Sequence, residues 1–120
     1  MAFRFETLEI WQMARDYATQ VYTLTAKFPR HEDYGLKSQL NRAANSISLN
    51  IAEGSAKSSN KAFDYQLEIA LGSTYEVVAG ACLAKDRAYV TESEHERVYE
   101  TGQRLAKGIN AFRNALPLQG

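Results

Sequence analysis

The chain has 120 residues, enough for one hydrophobic core and too few for two, so a single domain over residues 1–120 is expected. Lysine plus arginine and aspartate plus glutamate each number 14, so the formal net charge is zero and no overall field attracts a polyanion. Hydrophobic residues make up 45% of a chain with only two prolines and seven glycines, which excludes a disordered chain and favours long helices over a turn-rich β fold.

The first predicted helix spans residues 7–27. Its apolar side chains recur at steps of three and four, the period of an amphipathic helix, at Trp11, Ala14, Ala18 and Val21. Phe28 and Pro29 end the helix, because the residue before a proline is pushed out of the α region.

The second predicted helix spans residues 32–53, with Gly54 as its expected carboxyl-terminal cap. Its apolar face follows the helical period through Leu36, Leu40, Ala43, Ala44, Ile47 and Ile51. A polar stripe lies beside this face, roughly 100° around the helix, and consists of Gln39, Arg42, Ser46, Asn50 and Glu53. Polar groups next to an apolar seam are partly buried, so they need hydrogen-bond partners.

The third predicted helix spans residues 61–85 and follows a polar loop in which Ser58, Ser59 or Asn60 is available as its N-cap. One apolar face contains Phe63, Leu67, Ala70, Leu71, Val77, Val78 and Ala81. A second apolar strip on the far side contains Tyr65, Ile69, Gly72, Ala79, Cys82 and Leu83. A helix that is apolar on two sides is central in its domain or buried against another subunit, and a small bundle has no central helix. We therefore expect this helix to contact a second copy of the chain, with help from Leu49.

The fourth predicted helix spans residues 92–115 and opens with Thr91 and Glu94 at the spacing of a capping box. Its seam has heptad spacing and consists of Val98, Gly102, Leu105, Ile109, Phe112 and Leu116. Short linkers force sequential helices to lie antiparallel, so the expected fold is an all-α, up-and-down antiparallel four-helix bundle.

Motifs in the second and third helices resemble a known family. They are Tyr-Gly-Leu-Lys-Ser-Gln-Leu at 34–40, Arg-Ala-Ala-Asn-Ser-Ile at 42–47, Asn-Ile-Ala-Glu-Gly at 50–54 and Ile-Ala-x-Gly-Ser at 69–73. The chain is identified by them as a member of the four-helix-bundle family named for intervening sequences of bacterial 23S ribosomal RNA genes. The resemblance implies a ring-like homopentamer in a family with no established general function. One branch, the strongly basic accessory protein of diversity-generating retroelements, engages reverse transcriptase and nucleic acid, and this chain departs from it in its net charge of zero.

The family pattern also marks a candidate polar network or subunit interface, formed by Arg42, Asn50, Glu53, Ser73 and Glu76. In the structural interpretation, Arg42 pairs with a carboxylate while Asn50 satisfies neighbouring polar groups, which fixes helix register or the subunit contact. A ligand site is the alternative interpretation of the same residues.

The sequence indicates no catalytic site, metal or cofactor. A di-iron bundle needs two Glu-x-x-His motifs, and only Glu92 and His95 have that spacing. The helical serines lie in no nucleophile turn and have no indicated base. We therefore expect an oligomeric, non-enzymatic scaffold or adaptor that binds itself and possible protein partners. The alternatives are an accessory protein associated with nucleic acid or reverse transcriptase and, third, a small enzyme of unknown chemistry.

The nucleic-acid alternative rests on Lys57 and Lys61 in the polar loop, which a ring of subunits repeats around its rim. A solvated loop is the competing interpretation.

The expected location is the cytoplasm, without membrane contact. The amino-terminal residues contain no apolar signal core, and no run approaches the roughly 18 apolar residues of a membrane span. Cys82 is the single cysteine and has no partner for an intramolecular disulfide, which agrees with a reducing compartment and a buried, inert thiol.

Overall fold

The computed structural model describes residues 2–118. Helices that follow one another in sequence pack side by side, and the first closes the bundle against the last, in a rod of 48 × 24 × 23 Å. The four helices are α1 (Glu9–Thr25), α2 (Leu36–Ser55), α3 (Asn60–Asp86) and α4 (Glu92–Ala115). Short 3₁₀ turns precede the first two helices at Arg4–Thr7 and Arg30–Glu32. The predicted all-α, up-and-down four-helix bundle is confirmed.

Two predicted helix starts are wrong for a local reason. The chain first forms a 3₁₀ turn at Arg4–Thr7, so α1 begins at Glu9 rather than at residue 7. A second 3₁₀ turn precedes α2, which begins at Leu36 rather than at residue 32. There the carboxylate of Glu32 accepts a hydrogen bond from the backbone N–H of Leu36 at 2.9 Å, so a residue predicted to open the helix instead satisfies one of its first free donors.

Gly54 is not the cap of α2, which corrects the sequence prediction. The residue is buried inside α2 and no glycine among residues 2–118 has a positive φ. A Cβ at this position would lie 2.7 Å from Cδ1 of Phe63 and 2.8 Å from Cβ of Gln66. The glycine is needed because α2 and α3 approach closely here, not because the chain turns.

Each helix contributes an apolar face to one core. The predicted faces of α2, α3 and α4 are buried, apart from partial exposure of Leu71, Val78, Phe112 and Leu116. On α1 the buried face also includes Ile10, Tyr17 and Leu24, which the sequence pattern missed, while Trp11 and Ala18 are half-buried. The hydroxyl of Tyr17 donates to the backbone oxygen of Val98 at 2.9 Å, and burial raises the pKa of Tyr17 far above its ordinary value.

The prediction that no segment approaches a membrane span is wrong. By length and composition alone α3 could cross a membrane, and 44% of its most apolar window is buried inside the bundle. The apolar composition has two sources: one side of α3 packs against α2 and α4, and the other side carries the second apolar strip. Cys82, predicted to lie on that strip as a buried thiol, is half-buried.

Candidate interaction site along helices α2 and α3

A chain of hydrogen bonds joins α2 to α3. Ser46 Oγ lies 2.9 Å from Ser73 Oγ. Asn50 Nδ2 donates to the backbone oxygen of Ser46 at 2.8 Å and lies 2.9 Å from Ser46 Oγ, while Asn50 Oδ1 accepts from Gln66 Nε2 at 2.9 Å. We call these four side chains the α2–α3 network. Within residues 2–118, every buried side-chain nitrogen and oxygen has a hydrogen-bond partner, so the network satisfies its own buried groups.

The spacing of the four residues explains why they meet. Ser46 and Asn50 are one turn apart on α2, and Gln66 and Ser73 are two turns apart on α3. Gln66 is the member that sequence reasoning missed, although it is only 7% exposed. The available signal was a polar residue set directly before Leu67 in the apolar face of α3, where it requires a partner.

The structure brings together two of the five predicted site residues, Asn50 and Ser73, through Ser46. Arg42 is exposed and forms no ion pair with any residue between 2 and 118. Glu53 lies at the exposed end of the stripe, and Glu76 is exposed on α3. In the single chain these three charged residues lie outside the α2–α3 network.

The network also fixes which residues of the two helices lie level with each other. Ser46 meets Ser73, and Asn50 meets Gln66, as expected for antiparallel helices. One turn further along, the same register sets Arg42 level with Glu76 on the outer side of the pair. The opposite charges of the family motif thus lie at one level of the two helices, both exposed and without an ion pair between them within residues 2–118.

The outer side of α2 and α3 is also apolar. Leu49 on α2 is 65% exposed, and Tyr65 on α3 is 61% exposed. The register sets Leu49 level with Ile69, so apolar side chains of both helices share one face. We call this face the outer strip; its members are Leu49, Tyr65, Ile69, Gly72, Ala79 and Leu83, all exposed. Cys82, predicted to belong to it, turns toward α4, where its Sγ lies 3.4 Å from Nε2 of His95.

The two lysines predicted to contact nucleic acid lie at the turn between α2 and α3. Lys57 and Lys61 are exposed, and together with Tyr65 they line one shallow depression. Lys57 Nζ lies 3.7 Å from Oε2 of Glu53, which offsets part of the local positive charge. Ser59 is the N-cap of α3, as the sequence allowed: its Oγ accepts from the backbone N–H of Ala62 at 3.1 Å.

Glu92 and His95, the one pair with di-iron spacing, have separate partners. Glu92 Oε1 lies 3.0 Å from Nζ of Lys85, and this hydrogen bond raises the pKa of the lysine. His95 instead lies beside Cys82. In the part of the chain that the structure describes, no three histidine, cysteine, aspartate or glutamate side chains are grouped as metal ligands.

The comparisons with known proteins agree with this geometry. A family model described as 23S rRNA-intervening sequence protein matches residues 6–111. Among solved structures, the chain is similar to a protein of unknown function from the S23 ribosomal protein family of Bacteroides thetaiotaomicron. The TM-score is 0.82 at 20% sequence identity, and the match covers 88% of this chain and 99% of that chain. That likeness shows the fold alone, and no curated protein matches the chain.

Proposed function

The chain belongs to the family of 23S rRNA-intervening sequence proteins, and from this premise we propose that it acts as an oligomeric, non-enzymatic scaffold or adaptor. The observation that carries the proposal is the outer strip, an apolar face that one copy of the bundle leaves in water. Soluble monomers rarely expose a large contiguous apolar patch, and such patches mark interaction surfaces.

Burial of the strip's apolar surface would favour association. Leu49 and Tyr65 are more than half exposed, and Leu83 is 45% exposed. Complete burial of an exposed side chain of this size contributes roughly 1.5–3 kcal/mol. A contact between copies buries apolar side chains from both, which offsets a substantial part of the roughly 4–15 kcal/mol that association costs.

The charges of the family motif support a specific contact. Glu76 shares the α3 face of Gly72, Ala79 and Leu83, so it lies within the strip, where it can pair with a cation on a neighbouring copy. Arg42 lies level with it on α2, and charges across an interface fix register and partner choice. The resemblance implies a homopentamer, and a ring needs two different patches on each copy. The outer strip, with Leu49 from α2 and Ile69 from α3, would be one of these two patches.

The hydrogen-bond balance of the network supports a structural role over a catalytic one. Asn50 uses its oxygen for Gln66 and its nitrogen for Ser46, so its amide is committed within the bundle. The histidines lie elsewhere: His31 bonds to the hydroxyl of Tyr89, and His95 lies beside Cys82. Neither is therefore within hydrogen-bond reach of the network serines to act as a base.

Analytical ultracentrifugation at micromolar concentration tests the proposal. The wild-type protein is expected to sediment at about five times the 13.5 kDa chain mass. Ile69→Lys places a charge in the centre of the strip and is expected to dissociate the assembly. Leu118→Lys is the matched control, since Leu118 is 52% exposed and lies outside the strip. A wild-type monomer, or an Ile69→Lys protein that assembles like the control while circular dichroism shows it folded, overturns the proposal.

An accessory protein associated with nucleic acid or reverse transcriptase is the second candidate. The observation that favours it is the depression at the α2–α3 turn, where Lys57 and Lys61 lie beside the exposed ring of Tyr65. Cations and an aromatic ring are the groups that hold a single strand. A filter-binding assay at low salt with single- and double-stranded RNA and DNA tests it, and Lys57→Glu with Lys61→Glu is expected to abolish retention.

The cytoplasmic location stays a prediction.

A further inference from the structure

A groove of about 720 Å³ runs along α2 on the side next to α1. Its polar and aromatic lining includes Tyr22, Tyr34, Lys37, Asn41, Arg42 and Asn45. The volume lies in the range of small-molecule sites. The groove adjoins the α2–α3 network and the outer strip, because its far edge is formed by Ser46, Leu49 and Asn50.

The lining residues have hydrogen-bond donors to spare. Asn41 Oδ1 accepts from the hydroxyl of Thr25 at 2.8 Å, which leaves the two amide hydrogens of Asn41 without a partner within residues 2–118. Asn45 Nδ2 donates to the hydroxyl oxygen of Tyr22 at 2.8 Å. Because that oxygen acts as the acceptor, the Tyr22 O–H is left to donate. Within the described residues these two bonds therefore leave the amide hydrogens of Asn41 and the O–H of Tyr22 free to donate in the groove, beside one free acceptor, Oδ1 of Asn45.

Positive charges also outnumber negative charges in the groove. Lys37 Nζ lies 3.7 Å from Oδ1 of Asp33, a loose contact that leaves the ammonium able to bind elsewhere. Arg42 has no carboxylate partner in the described chain, so the two cations outnumber the one anion. Lys37, Asn41 and Asn45 follow one another at single-turn steps, so they lie within about 12 Å along one helix face.

We propose that this groove binds a small phosphate monoester, its oxygens held by Arg42 and Lys37 together with the free donors of Asn41 and Tyr22. A phosphate has three terminal oxygens, which use more donors than the two oxygens of a carboxylate, and arginine matches its geometry in a bidentate manner. The ring of Tyr34 is 99% exposed at the edge of the groove and offers a stacking surface to a flat group such as a nucleobase. A mononucleotide has both parts.

Isothermal titration calorimetry of the full chain with three probes tests the proposal: inorganic phosphate, uridine monophosphate and uridine. Saturable binding of the two phosphates and none of uridine is expected. Asn41→Asp keeps the oxygen that Thr25 needs, but replaces the free donor with an anion, so it is expected to weaken binding at least tenfold. Arg42→Ala is expected to weaken binding about tenfold. Arg104→Ala is the matched control, because Arg104 is an exposed arginine on α4 and should bind like wild type.

Two results overturn the proposal. The first is no saturable heat from phosphate or uridine monophosphate at millimolar concentration. The second is equal affinity in the Asn41→Asp, Arg42→Ala and Arg104→Ala proteins, each shown to be folded by circular dichroism. Tighter binding of uridine monophosphate than of phosphate supports a role for Tyr34, and equal binding restricts the site to the anion. Sedimentation of the same samples separates this result from the proposed assembly, since a monomer that binds phosphate overturns only the assembly.

Discussion

The seam between α2 and α3 and the seam between α1 and α4 are closed by different means. Four linked polar side chains run along the first, from Gln66 at one end to Ser73 at the other. Within residues 2–118 the second has one side-chain hydrogen bond between the helices, from the hydroxyl of Tyr17 to the backbone oxygen of Val98, and an ion pair of Lys27 with Glu94 just beyond the end of α1. There the helices are fitted by shape, because the Tyr17 hydroxyl lies 2.6 Å from where a Cβ of residue 102 would be.

The difference shows what each seam contributes. Shape fixes α1 against α4, since the space that a side chain at Gly102 would need is filled by the hydroxyl of Tyr17 and by Cγ2 of Val78. Hydrogen bonds are directional, so the α2–α3 network allows one register and rejects a slip by one turn. The seam with the directional bonds is the one next to the outer strip. Its register keeps the two halves of the strip, Leu49 and Ile69, level with each other.

The largest expected effect comes from the shape-fitted seam. Gly102→Ala places a methyl group 2.6 Å from both the Tyr17 hydroxyl and Cγ2 of Val78. Tyr17 is completely buried, so its ring has no open space to move into. We expect a loss of about 2–3 kcal/mol in the free energy of unfolding, measured by urea denaturation, with overpacking exceeding the gain in helix propensity.

Gly72→Ala is the matched control for that substitution. No atom lies within 4 Å of the added methyl group, and the position is exposed on α3. In the dissociated chain helix propensity alone then acts, so this variant, measured on the Ile69→Lys background, is expected to gain up to about 1 kcal/mol. Equal changes in stability from the two alanine substitutions would show that the α1–α4 seam can accommodate an added methyl group and that close packing does not fix it.

The hydrogen-bonded seam should be slightly less sensitive. Asn50→Ala leaves the Gln66 amide and Ser46 Oγ without the partner that joins them, and we expect a loss of about 2 kcal/mol in the same assay. Glu53→Gln is the comparison from the same polar stripe. Glu53 is 63% exposed and has only a loose contact with Lys57, so its change should stay within about 0.5 kcal/mol. Similar losses of unfolding free energy in both variants would show that the α2–α3 network does not stabilise the bundle more than an exposed residue of the same stripe does.

The fold could be predicted from the sequence because burial in a small bundle follows the helical period. The apolar faces of α2 and α4 are visible as runs of three and four. The α2 start was not visible, since the capping group is the carboxylate of Glu32, four residues before Leu36, rather than a local Ser or Asp. The helical period also could not show the role of Gly54, because a glycine that ends a helix and a glycine at a close contact between helices look alike in sequence.

The candidate site was only partly predictable for a related reason. Asn50 and Ser73 stand out as polar residues in a recognisable motif, but their link runs through Ser46 and Gln66. Which polar residues of a stripe turn inward depends on the rotation of each helix about its axis. The spacing of apolar residues determines this rotation only to within about one residue position. That uncertainty is large enough for an exposed residue such as Arg42 to be predicted to face inward.

Acid should affect neither the α2–α3 network nor the contact of Tyr17 with Val98, because neither contains a carboxylate; on the α1–α4 side the carboxylate of Glu94 pairs with Lys27 only beyond the end of α1. The loops at one end of the bundle depend instead on Glu32. Its Oε2 accepts from the hydroxyl of Tyr89 at 2.8 Å and from Nη1 of Arg87 at 3.2 Å. With the backbone N–H of Leu36 as the largest cause, and then the Tyr89 hydroxyl, these bonds hold the pKa of Glu32 below its ordinary value of 4.5.

A carboxylate whose pKa is lowered on folding stabilises the folded state above its unfolded pKa, and this stability is lost as pH falls toward the folded pKa. We therefore expect the melting temperature of the wild type to fall more steeply than that of Glu32→Gln between about pH 5 and pH 3. Thermal melts followed by circular dichroism measure this slope. Glu53→Gln, which changes an exposed carboxylate, should follow the wild-type curve. Parallel curves for wild type and Glu32→Gln would show that acid acts on the bundle as a whole, and the contrast between neutral seams and a charged loop end would not hold.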